Sequence, residues 1–284
     1  MKTISIALFV VLSALFIAAS PGLSQTQDQA STAMLEGQTT KATLDRETLC
    51  GIGRGRKCDI KLAIKRGMFE TGLRPRFPEN LKCRDIDEQW AISYTWKRDR
   101  EAYHGGIDMP APFGTPMIAA AAGTVVGRYR GENSFRGMEI ILRHSPEDTG
   151  LPLWVYTQYA HFDEMPKHQL GQRVRMGEVL GPTGNSGKTP SRRRFGRERR
   201  PAIHFAVWYS TSPQYFAAPN KIIPVNGRWM DPNALYRNNP PIDSPSMKGL
   251  PEADKEVPIP VMLEDGEAIP TDTKVVWPYM CKRR

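Results

Sequence analysis

Short apolar or alternating runs bounded by glycines occupy Met117 to Ala121, Thr124 to Tyr129, Met138 to Arg143, Trp154 to Tyr159 and Ile203 to Tyr209. Runs of this length and period suit strands, because a pleated chain turns alternate side chains to opposite faces. Turn-forming clusters at Gly131 to Ser134, Pro146 to Gly150 and Gly184 to Gly187 separate them. The pattern predicts a mainly β, antiparallel domain with few helices, and no internal repeat is visible. Before it, Asp59 is placed to cap a helix with apolar positions Ile60, Ile64 and Met68, ended by Gly72. After Asp231-Pro232 the chain is rich in proline and irregular, an extension that wraps the domain if Cys281 is bonded.

The first residues bear on compartment. Met1 and Lys2 precede sixteen almost wholly apolar residues, Ile4 to Ala19, and then small residues up to Ser24. This reads as a secretory signal cleaved after Ser24; an uncleaved anchor is the alternative, but the run falls short of the ~20 residues that span a bilayer. The expected divisions are a signal peptide at 1–24, a flexible leader to about Glu47 and a small cysteine-containing region within 25–83. The main domain follows at 84–238 and the extension at 239–284. Pro75 and Pro78, which interrupt periodicity before Cys83, set the domain's start.

Export to the periplasm or the medium favours disulfides among Cys50, Cys58, Cys83 and Cys281. The Gly-Ile-Gly-Arg-Gly-Arg-Lys loop between Cys50 and Cys58 closes easily, which would leave Cys83 to hold the tail at Cys281; three pairings are open in principle. A cysteine zinc cluster is disfavoured by the lack of tight paired spacing. The net charge of +9 suits an anionic partner. Nucleic acid is a poor candidate for an exported protein, and no stable membrane span remains once the signal is gone. The arginine-rich run Arg192–Arg200 reads either as a solvated loop or as a basic flap over an anionic polymer or substrate.

The chemistry gathers around His104-Gly-Gly-Ile-Asp108, which offers two metal-ligating side chains four positions apart. Only five histidines occur in the chain, and His161 and His204 are the expected partners. A catalytic zinc commonly takes three protein ligands from His and Asp or Glu and keeps a position for water. His104, Asp108 and His204 supply such a set for one Zn2+. Two neutral imidazoles and one carboxylate reduce the ion's charge without abolishing its power to acidify water. His161 is then left to donate a hydrogen bond or to shuttle a proton. His144 is read as structural and His168 as a solvated loop residue.

The neighbouring residues carry a resemblance. His104-Gly-Gly-Ile-Asp-Met-Pro-Ala-Pro-Phe-Gly-Thr-Pro116, with Ala-Ala-Ala-Gly-Thr-Val-Val126 after it, is similar to the lysostaphin-type (LytM-like) zinc metallopeptidases that cut peptidoglycan peptides. Ile140-Ile-Leu-Arg-His144, Tyr159-Ala-His161-Phe, the glycine-spaced Leu170 to Gly181, the Thr183 to Gly187 turn and Pro201-Ala-Ile-His204-Phe-Ala-Val continue it in order, from about Trp90 to Tyr236. The resemblance implies His104, Asp108 and His204 as zinc ligands and His161 as one of two catalytic histidines. The second catalytic position is held by Ala202, and Ala206 stands where the family usually has Glu.

Because strand side chains alternate, residues 202, 204 and 206 share one face, so both departures point toward the metal cavity. Losing one such group typically removes ~10²–10⁴ in rate while leaving metal binding largely intact. The resemblance therefore implies a zinc endopeptidase acting on peptidoglycan stems or cross-links, slowed by Ala202. The alternative is a metal-bearing module that binds the wall or regulates another hydrolase without cutting. An arginine of the inserted run is available to stand in for the missing donor. A lipoyl-type carrier, suggested by the glycine-spaced hairpin, lacks an evident attachment lysine.

Overall fold

The β-branched and aromatic runs pair into one seven-stranded sheet in a computed structural model that describes residues 34–95, 101–131, 134–188, 199–237 and 239–284. Its strands are β1 (Ile107–Pro110), β2 (Gly123–Tyr129), β3 (Glu139–His144), β4 (Trp154–Ala160), β5 (Arg173–Val174), β6 (Ala202–Ser210) and β7 (Arg228–Met230). Every pairing among them is antiparallel, in the order β7-β6-β4-β3-β2-β5, with β1 beside the first half of β6. The mainly β, antiparallel architecture is the one the sequence predicts.

β6 is the organising strand. All nine of its residues are buried, because β4 covers one edge while β1 and β7 share the other. Ile203, Phe205 and Val207 face the apolar core, where full burial of such side chains contributes about 1.5–3 kcal/mol each. Ala202 and His204 occupy the opposite face. The register sets His204 across from Asp108 on β1 and from Ala160 on β4. A one-residue slip would carry His204 to the core face, so burial of Ile203 and Phe205 also fixes where the histidine points.

The expected strands agree with the structure to within a residue at either end, except Met117 to Ala121. Strand geometry covers Pro116–Ile118, paired with Val179–Pro182 in a separate two-stranded sheet. The alanines beyond it bond instead to two different segments, Ala119 N to Glu178 O at 2.9 Å and Val276 N to Ala120 O at 2.7 Å.

The N-terminal region holds two short helices, α1 (Arg46–Gly53) and α2 (Ile60–Lys65). Asp45 caps the first by accepting from Thr48 N, and Asp59 caps the second by accepting from Lys61 N. α2 stops well before Gly72: the chain turns at Gly67, with φ +98°, and buries Met68 outside the helix. The expected leader is anchored where it is described, since Gln38–Thr39 pairs in parallel with Tyr215–Phe216. Its first residues and the expected signal peptide lie outside the described residues. Among the described residues no helix is long and apolar enough to cross a membrane.

Disulfides join Cys50 to Cys58 and Cys83 to Cys281. The second holds an irregular C-terminal strap whose Trp277 and Tyr279 are fully buried. Ile118 N donates to Pro278 O at 3.0 Å, and the Tyr279 hydroxyl lies 2.6 Å from Thr183 Oγ1. The strap thereby buttresses the turn that follows Thr183, which carries part of the site.

Candidate metal centre

β1 and β6, paired side by side, bring together residues almost one hundred positions apart. Asp108 Oδ1 lies 3.1 Å from His104 Nε2 and 2.9 Å from His204 Nδ1, and the two ring nitrogens are 3.0 Å apart. All three side chains are buried, at the floor of an open cavity of about 740 Å³. Among the described residues they form the one cluster of His, Cys, Asp or Glu with ligand atoms close enough to share an ion. A tetrahedral ion with ligands ~2.1 Å away holds its donors ~3.4 Å apart. The three atoms sit a few tenths of an ångström inside that spacing, and their donor set suits zinc.

Further contacts orient each of these side chains. His104 Nδ1 lies 3.0 Å from the Gln89 carbonyl, which fixes its hydrogen there and turns the Nε2 lone pair toward Asp108. Its backbone is held by His104 N donating to Ile92 O at 2.8 Å and by Arg54, whose guanidinium donates to the carbonyl oxygens of Tyr103 and His104. Gly106 makes room for His204: a Cβ there would lie 2.5 Å from its Cε1.

His161 follows β4 and adopts φ +71°, a strained conformation for a residue with a Cβ and one often stored at functional sites. His161 N donates to Arg136 O at 3.1 Å, and Gly184 N donates to His161 O at 2.9 Å. Its Nδ1 lies 2.8 Å from Ser186 O. The ring stands 6.0 Å from that of His204, centroid to centroid, beside the cluster and outside it.

Burial dominates the electrostatics. It pushes His161 well below the usual 6.5, with the Arg199 charge adding to the effect, and lowers His204 to about 4. Both rings are neutral near pH 7, the form a metal ligand or a base requires. Burial opposes the Asp108 carboxylate, but the charge and hydrogen bonds of His104 and His204 outweigh it and hold the group well below 3.8. His144 is buried and structural, its ring set between Ala122 O at 2.6 Å and Thr157 Oγ1 at 2.7 Å. His168, expected in solvent, is mostly covered and pairs with Glu178 at 3.0 Å.

Arg199 enters the centre from the arginine-rich run, with Nη2 2.7 Å from Asp108 Oδ2. Arg200 pairs with Asp87. Arg199 is thus turned inward while Arg200 stays exposed, and the remainder of Arg192–Arg200 lies outside the described residues. The composition of the run does not single out Arg199; its position just before β6 is the available signal. Gly106 is legible only as the second glycine of His-Gly-Gly-Ile-Asp.

An antiparallel sheet presenting two histidines and an aspartate at a cavity floor defines a β domain with a possible metal-binding site. Residues 102–216 match peptidase family M23. It is 34% identical over 98 residues to the DD-carboxypeptidase/endopeptidase Mpg of Neisseria meningitidis, covering 34% of this chain and 19% of that protein. It is also 33% identical over 85 residues to the peptidoglycan DD-endopeptidase ShyC of Vibrio cholerae, covering 30% and 17% respectively. The match thus spans about a fifth of these relatives' lengths. Among solved structures, the lysostaphin catalytic domain from Staphylococcus simulans aligns with 39% of this chain and 71% of that one, at 22% identity and a TM-score of 0.30.

Proposed function

We propose that the protein is an exported zinc endopeptidase that hydrolyses peptide bonds in peptidoglycan stems or cross-links. The observation that carries this is the convergence of His104 Nε2, Asp108 Oδ1 and His204 Nδ1 at the cavity floor, within the residues that match peptidase family M23. These residues would hold one ion, and zinc bound there supplies Lewis acidity and lowers the pKa of water toward neutrality. The names of the relatives, which include DD-endopeptidases of peptidoglycan, support the substrate class. Both disulfides and the apolar segment near Met1 support an oxidising compartment outside the cytoplasm.

The chain's own residues have separable tasks. His161, neutral and held through Nδ1 by Ser186 O, presents Nε2 as a lone pair that takes a proton from water and returns it to the leaving nitrogen. The carboxylate of Asp108 keeps His104 and His204 turned toward one point. Cations at the cavity wall, including Arg54, Arg56, Lys188 and Lys221, favour peptides bearing free carboxylates.

One observation favours a second reading. Ala202 lines the cavity beside His204 without offering a side-chain donor, as expected of a module that keeps the metal and binds the wall without cutting it; Ala206, expected to face the cavity too, packs instead in the apolar core. Digestion of purified peptidoglycan by the zinc-loaded protein, with His104→Ala as control, separates the two. The endopeptidase releases new amino termini and the variant does not; equal traces from both would end the enzyme reading.

A further inference from the structure

Hydrolysis of a peptide bond places negative charge on the carbonyl oxygen, and a catalyst gains most from a donor already waiting there. Ala202 and Ala206 provide none. His161 provides none either, because Nδ1 must carry the hydrogen it gives to Ser186 O, which leaves Nε2 of the neutral ring as an acceptor. Several other cations at the cavity are committed elsewhere. Arg54 donates to two backbone carbonyls, Arg136 pairs with Glu139 and Arg200 pairs with Asp87.

Arg199 differs in where its side-chain partner among the described residues lies. Its Nη2 holds Asp108 Oδ2, whereas both histidines bond to Oδ1. The arginine therefore takes the carboxylate oxygen that the candidate ion does not need. Its Nε is buried without a hydrogen-bond partner among the described residues, and a guanidinium has five N–H donors in a planar fork. The backbone beneath it is fixed, since Asn185 Nδ2 donates to Arg199 O at 3.1 Å and Ala202 N donates to Gly184 O at 3.2 Å. Both Arg199 and Ala202 line the cavity that holds His161 and His204.

We propose that Arg199 is a catalytic residue of this hydrolysis, using the N–H groups not engaged by Asp108 to bind the substrate's carbonyl oxygen as it becomes negative. The proposal rests on the endopeptidase reading above. In the reaction, water's oxygen bonds the carbonyl carbon and one water proton passes to His161 Nε2. The C–N bond then breaks and the nitrogen takes that proton, giving a carboxylic acid and an amine. Arg199 stays protonated throughout. Its fork also explains why lysine would serve poorly: one ammonium cannot hold Asp108 and the substrate in two fixed directions.

The test uses the full zinc-loaded chain as wild type, Arg199→Met, Arg199→Lys and the double variant Arg199→Met with Ala202→His. Zinc content, release of fragments from purified peptidoglycan, and affinities for D-alanyl-D-alanine and its phosphinate analogue are measured. The phosphinate presents a tetrahedral anion where the attacked carbonyl would be.

Arg199→Met is expected to keep zinc and bind the dipeptide like wild type, while losing ~10²–10³-fold in rate and in phosphinate affinity. Arg199→Lys should fall between, and it carries the test if the methionine variant does not fold. Ala202→His should recover part of the loss. The proposal is overturned if Arg199→Met matches wild type in rate and phosphinate affinity. It is also overturned if excess zinc restores the rate, since Arg199 would then only position Asp108. A wild type that releases no fragments yet binds phosphinate through Arg199 keeps the donor role and refutes the endopeptidase reading. Absence of both refutes both.

Discussion

Replacing Gly106 with alanine is expected to disable the metal centre without altering any candidate ligand. The added methyl carbon would lie 2.5 Å from Cε1 and 2.6 Å from Nε2 of His204, and 2.8 Å from the backbone oxygen of Phe205. Carbon atoms in contact normally stand about 3.5–4.0 Å apart, so ring or backbone must move by about 1 Å. The ring has little freedom: its side chain is 8% exposed, and it lies 4.7 Å from the His104 ring. Its strand is paired along both edges. Overpacking of this kind costs about 1–3 kcal/mol. A shift near 1 Å also exceeds the ~0.2 Å tolerance of metal–ligand distances.

Zinc affinity of Gly106→Ala should therefore fall by at least about 10–100-fold, the range seen when the support of a ligand is lost. Competition against a fluorescent chelator near neutral pH measures this, with thermal unfolding in the presence and absence of zinc. Gly249→Ala is the control, because its nearest new contact is 3.5 Å and its backbone is helical. A folded Gly106→Ala with wild-type zinc affinity would refute the assignment of His204 as a ligand.

Two further outcomes follow from burial and covalent ties. Burial lowers His144 from 6.5 to about 4, so the unfolded chain takes up its proton first. The resulting stability is complete above the unfolded pKa and is lost as pH falls through the folded one, by up to about 3 kcal/mol. His144→Gln should flatten this part of the urea-unfolding profile, leaving the shares from His161 and His204, which burial also lowers; an unchanged slope would contradict it. Replacing Cys83 and Cys281 by serine should cost on the order of 3–5 kcal/mol in chemical unfolding. It should also slow fragment release, because Tyr279 supports the Thr183 turn near His161; unchanged stability would contradict the role of the strap.

Much of the domain was legible because its strands alternate and its turns carry glycine. His104, Asp108, His161 and His204 could be picked out because few histidines compete with them and ordered motifs surround them. Burial of alternate residues on β6 then brings the distant members together. The early end of α2 was hidden, since Met68 continues the apolar period while Gly67 turns the chain. β1 was obscured in another way: its residues read as a ligand motif, and its pairing with β6 is a long-range contact. Arg199 was illegible as an individual residue within a run of arginines, because its partner Asp108 is 91 positions away. The buttress of His161 by Ser186 O uses a backbone atom, which side-chain patterns do not report.

The central claim is that His104, Asp108 and His204 hold a zinc ion on which peptidoglycan hydrolysis depends. Zinc content and release of new amino termini from purified peptidoglycan, measured on the same preparations, test it most directly. Wild type and His144→Gln should each bind one zinc and release termini, whereas His104→Ala, Asp108→Asn and His204→Ala should lose both properties together. Undiminished zinc in these three variants, or release that persists after chelation, would contradict the account.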